Sequence, residues 1–250
     1  MKTQHQGVIL IVVIVILFLC PLNLFAVHFT IGYDNWYEIK SLNNTKIGYS
    51  FAKLYSKKYK GEQVYQLEGA IHLSFDTLFA KHFIHYTDSA IVDDKGVLHY
   101  EINENNNGKV RFISANRKGG NLEVYIFNKK DGAQIDKKII NLNDYDYTLF
   151  ESLIPIASTA YKIGEIKRYR VFVPSINTIV HVEVLAKSFK NVFWNGATKR
   201  VLTLEMTSKQ KGEIISKTTS WILENGELLF SQAKDYSLHL TTKEKALSIK

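Results

Sequence analysis

The feature that most restricts this chain is a repeated alternation of apolar and polar side chains, broken every ten residues or so by turn-forming residues. The clearest case is residues 63–75, where Tyr65, Leu67, Ile71, Leu73 and Phe75 take one face and Gln66, Glu68, His72 and Ser74 the other. Residues 178–188 set Val180, Val182, Val184 and Ala186 against His181, Glu183 and Lys187. Residues 198–208 set Leu202, Leu204 and Met206 against Lys199, Thr203, Glu205 and Thr207. Period two belongs to a strand, whose side chains leave the pleat on opposite sides in turn. The punctuation is Asn43-Asn44, Lys60-Gly61-Glu62, Asp93-Asp94-Lys95-Gly96, Asn105-Asn106-Asn107-Gly108, Gly119-Gly120-Asn121 and Asn225-Gly226. Connections this short make antiparallel hairpins, because parallel neighbours need long crossovers.

Further strands are predicted over residues 36–42, 45–59, 82–92, 97–102, 109–114, 122–127, 135–142, 169–173, 213–223 and 228–234. Within 97–102, Leu98, Tyr100 and Ile102 face one way. Residues 237–241 are expected to close the sheet, and 243–250 to fray. About a dozen strands exceed what a flat sheet carries without curling. The expected fold is mainly β, a strongly curved antiparallel sheet or partly open barrel.

The pattern changes once. Thr148-Leu149-Phe150-Glu151 reads as a capping box, and Leu149, Phe150, Leu153, Ile154 and Ala157 then fall on one helical face. Pro155 keeps this helix short. One short central helix, near residues 148–157, is therefore expected between two strand meanders, with Phe150 packed against the inner face of the sheet.

Residues 1–26 read as a signal peptide or an uncleaved anchor. Lys2 precedes an unbroken apolar run over residues 8–19, and Leu24-Phe25-Ala26 precedes a cleavage point between Ala26 and Val27. The single cysteine, Cys20, lies inside that segment, and Leu19 before it is wrong for lipid attachment. Residues 27–250 then form a single β-rich domain without thiol chemistry, placed in the periplasm or secreted. The net charge of +8 comes from scattered clusters such as Lys57-Lys58-Tyr59-Lys60 and Lys167-Arg168-Tyr169-Arg170. For an exported chain this suits weak contact with an anionic membrane surface and not nucleic acid.

Trp36-Tyr37-Glu38-Ile39 with Lys46-Ile47-Gly48-Tyr49 resembles the opening of exported bacterial β-proteins of uncharacterised function. The later order of helix, Gly164-Glu165, a strand to Pro174, Asn195-Gly196 and Trp221-Ile222-Leu223 is similar to periplasmic domains with the curved, partly open barrel of the lipoprotein carrier LolA. That resemblance implies an architecture able to shelter a lipid-like cargo on a concave face.

Reaction chemistry is sparse. His82 and His85 lie three apart, on opposite faces of a strand, and cannot chelate one ion together. His72, His99, His181 and His239 read as scattered surface residues. Asn143-Asp144-Tyr145-Asp146 lacks the glycine and distal glutamate of a calcium loop and reads as a lead into the helix. No nucleophile elbow, phosphate loop or dinucleotide fingerprint appears. No catalytic residue, metal site or cofactor is assigned, and the chain is read as a non-enzyme. What remains is the apolar face. Tyr65, Leu67, Ile71, Leu73, Phe75, Phe150, Leu202, Leu204 and Met206 are the candidate lining of a site for a lipid or other apolar ligand. The competing expectation is a structural or protein-interaction module in which the same side chains fill a core.

Overall fold

The computed structural model describes residues 33–76, 81–128, 132–148, 161–223 and 226–248. The alternating segments form strands β1 (Tyr33–Ser41), β2 (Lys46–Tyr59), β3 (Glu62–Asp76), β4 (Lys81–Asp93), β5 (Gly96–Asn106), β6 (Lys109–Lys118), β7 (Asn121–Asn128) and β8 (Gln134–Asn141). A 3-10 turn at Leu142–Asp144 precedes β9 (Tyr147–Thr148) and β10 (Ile166–Val173). Then follow β11 (Thr178–Trp194), β12 (Ala197–Gln210), β13 (Glu213–Leu223), β14 (Leu228–Gln232), β15 (Tyr236–Thr241) and a short helix, α1 (Lys243–Leu247).

All 15 strands belong to one sheet, in the order β8-β7-β6-β5-β4-β3-β2-β1-β15-β14-β13-β12-β11-β10-β9. Apart from β8 and β9, strands consecutive in sequence pair with each other, and β1 pairs antiparallel with β15, so the first and last strands join the two meanders. The β9–β10 pair is parallel. The sheet is not closed, because β8 and β9 end it without pairing. Side chains bridge that gap instead. Lys138 Nζ donates to the Asn177 carbonyl at 2.8 Å, Asn177 Nδ2 to Asp136 Oδ2 at 3.0 Å, and Arg111 to the Ser175 carbonyl at 3.2 Å.

The strands are more numerous and longer than the sequence suggested, and one side-chain assignment changes. A β-bulge between Ile91 and Val92 shifts the register of β4 and β5, pairing Ile91 with His99 but Val92 with Val97. Leu98 is the extra residue, so buried Val97, not Leu98, faces inward with Tyr100 and Ile102. The stretch expected to fray forms α1, because Thr242 caps it by accepting from the Lys245 amide. Lys46 Nζ then donates to the carbonyls of Lys245, Ala246 and Ser248, each at 2.7 Å, at the negative end of the helix. The central helix near 148–157, with Phe150, lies outside the described residues. Thr148 itself is a buried residue of β9 paired with Phe172. Asn143-Asp144 belongs to the 3-10 turn, and Asp146 binds Arg170.

The core sits on the concave side and is continuous across both meanders. Tyr37, Ile39, Ile71, Ile84, Tyr86, Ile102, Ile113 and Val124 join Val171, Val180, Val184 and Leu204 in one cluster. Each large side chain buried this way contributes about 1.5–3 kcal/mol. With no cysteine after Cys20, that burial holds the barrel together without disulfides.

Candidate functional site

The sheet places the eight described lining candidates on its concave face. Leu67, Ile71, Leu73, Leu204 and Met206 are buried within the core cluster, and Tyr65, Phe75 and Leu202 are partly buried and packed against it. They come from β3 and β12, strands in different meanders. Phe150 lies outside the described residues.

The interior is not uniformly apolar. On β4, Ile84, Tyr86, Asp88 and Ala90 share the inward face, so a carboxylate stands in an apolar row. Gly69 of β3 lies opposite Asp88 and makes room for it: a Cβ at Gly69 would meet Asp88 Oδ1 at 2.6 Å. Asp88 is surrounded by protein yet keeps some accessible surface. No cation is paired with it among the described residues. Burial, and then the nearby charge of Glu68, push its carboxyl up to about 7.

Tyr86 precedes it on the same face, and its hydroxyl, fully buried, has no hydrogen-bond partner among the described residues. Burial, with the charges of Asp88 and Glu104 behind it, holds that phenol well above its usual range. Opposite Tyr86 on β5 is Glu104, which is 3% exposed. Arg111 of β6 lies opposite Glu104 and is ion-paired with it, so this second inward carboxylate is neutralised. Arg117 likewise binds Asp93, and Lys167 lies 3.5 Å from Glu165. Asp88 is left as the uncompensated inward charge of the group. A carboxyl with a raised pKa beside an unpartnered phenol can accept a hydrogen bond or pair with a cationic head group.

Elsewhere a depression of about 420 Å³ involves Asp146, Arg168, Arg170, His181, Glu183 and Lys209. Its charges satisfy one another. Arg170 donates to Asp146 at 2.8 Å, Arg168 to Glu183 at 3.0 Å and Lys209 to Glu183 at 2.6 Å. Burial pushes Asp146 up, but the Arg170 side-chain and backbone bonds outweigh it and lower the carboxyl overall. This network ties β9, β10, β11 and β12 together and leaves none of these ions over for a ligand.

The histidines are less scattered than their spacing suggested. His72 and His85 are cross-strand partners with rings 5.7 Å apart, and Tyr49 stacks on His72 at 5.2 Å. His82 and His85 lie on opposite faces, as the strand reading requires. No group of three potential metal ligands exists among the described residues.

With this geometry in place, comparison with solved structures gives a likeness in fold. A β-barrel-like protein of a domain of unknown function (DUF1849) from Brucella abortus superimposes with a TM-score of 0.61 at 9% identity. The match covers 85% of this chain and 96% of that one. The fold is β-barrel-like. No family model matches, and no curated protein matches. At this identity the likeness concerns architecture alone.

The interior polar group of this β-barrel-like domain was missed in the sequence, although one signal was available. Within residues 82–92, Asp88 has the same parity as Ile84, Tyr86 and Ala90. A charge at an apolar position of a strand is the mark of an inward carboxylate. Gly69 gives the same hint, since it interrupts the apolar row of β3 where a neighbouring side chain needs space.

Proposed function

We propose that this protein is an exported, non-enzymatic binding protein that holds an amphiphile in the curved sheet, its apolar body against β3 and β12 and its polar head at Asp88. What carries the reading is Asp88, a largely buried carboxylate on an apolar row with no cation paired with it among the described residues. Keeping such a group costs folding energy unless something outside the fold repays it. A protonated amine or hydroxyl head group would pair with Asp88 and with the Tyr86 hydroxyl. The sequence resemblance to LolA-type carriers, which shelter lipidated cargo, supports this use of a curved sheet, and the apolar segment at residues 8–19 supports export. Native mass spectrometry and organic extraction of the purified protein test it. A bound amphiphile whose retention falls in Asp88→Asn is the expected result. Protein without bound lipid and without uptake of an apolar fluorescent probe would refute it.

One observation favours a second reading, a structural or interaction module with a filled core. Tyr37, Ile71, Tyr100 and Ile113 have no accessible surface. If such side chains fill the whole interior, neither assay will register a ligand.

A further inference from the structure

Two hairpins outreach their neighbours at the same end of the sheet. Alternating strand direction puts the β2–β3 and β11–β12 turns on one end. On one side of the second hairpin, β10 begins at Ile166, opposite Leu185; on the other, β13 ends at Leu223, opposite Val201. Residues 191–200 therefore project as a two-stranded arm with no strand on either flank, and residues 188–190 at its base pair with the part of β12 that β13 still flanks. Asn195 and Gly196 close its tip with φ of 48° and 76°, the two positive values that a tight hairpin turn needs. Pairing continues to Trp194 and Ala197, so the arm is ordered to its end. The sequence reading stopped these strands at 188 and began them again at 198, because the alternation breaks at the bulge between Ala186 and Ser188.

The arm carries the most exposed large hydrophobic side chain among the described residues. Phe193 is 77% exposed and Phe189 44%, with Val192 and Trp194 partly exposed beside them. Lys190, Lys199 and Arg200 flank these residues, and no carboxylate occurs in residues 188–200. The Arg200 guanidinium lies 4.3 Å from the Phe189 ring centre, and Lys190 Nζ 3.5 Å from that of Trp221 on the barrel wall. The β2–β3 tip at the same end adds Lys57, Lys58 and Lys60, against a single acid, Glu62. Exposed aromatic rings ringed by cations fit the boundary between acyl chains and anionic head groups, where rings sit at the interface and lysines meet phosphate.

We propose that the β11–β12 arm is a membrane-docking element that inserts Phe189, Phe193 and Trp194 into an anionic lipid surface, with the lysines of both hairpins against its head groups. The assignment is independent of whether the barrel interior holds a ligand. It sharpens the expectation of weak membrane contact from dispersed charge into a defined contact at one end.

The test uses the full chain with Cys20→Ser and Thr198→Cys, labelled on the thiol introduced at position 198 with an environment-sensitive fluorophore. Vesicles of phosphatidylcholine with phosphatidylglycerol should shift the emission to the blue, vesicles of phosphatidylcholine alone much less, and added salt should reverse the shift. Lys199→Gln should weaken partitioning roughly fivefold, from one head-group contact. Phe193→Ser should weaken it about tenfold or more. Because both positions lie on the exposed arm, these variants should unfold like the parent. A label unmoved by either vesicle, or a shift that the arm variants do not change, overturns the proposal. So does a label already shifted without lipid, whether through the N-terminal segment or, with rising protein concentration, through a second copy.

Discussion

Replacing Asp88 by asparagine should make the protein more stable at neutral pH, although it removes a native charge. The folded protein holds this carboxyl at about 7, against an ordinary value of 3.8. In the unfolded chain the group ionises near 3.8, so between the two values the folded state carries a proton that the unfolded state has lost. Stability therefore falls as pH rises through this window, and above about 7 the whole cost is present. A difference of that size corresponds to about 4 kcal/mol as an upper bound. Part of the carboxylate reaches solvent, so roughly half of that, about 2 kcal/mol, is the expected effect. Asparagine keeps the shape and the polarity of the protonated acid without the charge. Urea unfolding of both proteins across this pH range isolates the term, since all other carboxylates are common to the two. The variant should match the parent at low pH and gain about 2 kcal/mol as pH rises past neutrality. Parallel stability curves, or a variant weaker at every pH, would show that Asp88 is compensated and that the case for a buried recognition charge is wrong.

Three further substitutions probe β2, β3 and β6 by chemical denaturation. Gly69→Ala places a Cβ 2.6 Å from Asp88 Oδ1 and should cost about 1–3 kcal/mol, most of it recovered when Asp88→Ala is added. Gly48→Ala is harsher, because its Cβ would fall 2.0 Å from the His72 carbonyl oxygen, which is backbone; about 3 kcal/mol is expected, with no rescue from side-chain changes nearby. Arg111→Met strands Glu104 as a buried charge and should cost about 3 kcal/mol, whereas Arg111→Met with Glu104→Met should cost much less.

The curvature and pairing of the sheet were legible because they rest on local chemistry. Alternation along residues 63–75 and 178–186, and glycines or asparagines at the turns, specify antiparallel hairpins, and a long row of hairpins has to bend. The errors fall where alternation is interrupted. At Ala186 and Ser188 a bulge shifts the phase, and the projecting arm beyond it could not be recognised as a continuation of the same two strands. At Ile91 and Val92 another bulge turns Leu98 away from the core that its parity promised. A bulge is one extra residue opposite a partner, and no property of that residue alone records it. The helical end of the chain was missed for the opposite reason. Its cap, Thr242, is visible, but α1 is only five residues long, and Lys46 beneath its last carbonyls comes from the far end of the sequence.

The site is less legible than the fold because its meaning lies between strands. Asp88 on an apolar row could have been a misread strand, a surface bend or a paired ion. Only the sheet shows that its cross-strand neighbours are Gly69 and Ile102, neither able to pair with it, while the nearby Arg111 is committed to Glu104. The same contrast separates the two charged regions of the molecule. The depression around Arg170 and Glu183 has many charges and none to spare, so it reads as structure. The interior of β4 has one carboxylate with nothing opposite it, and an uncompensated group in an apolar wall is the stronger pointer to a ligand. Charge density attracts notice in a sequence, but it is the unmatched charge, visible only when partners are known, that bears on function.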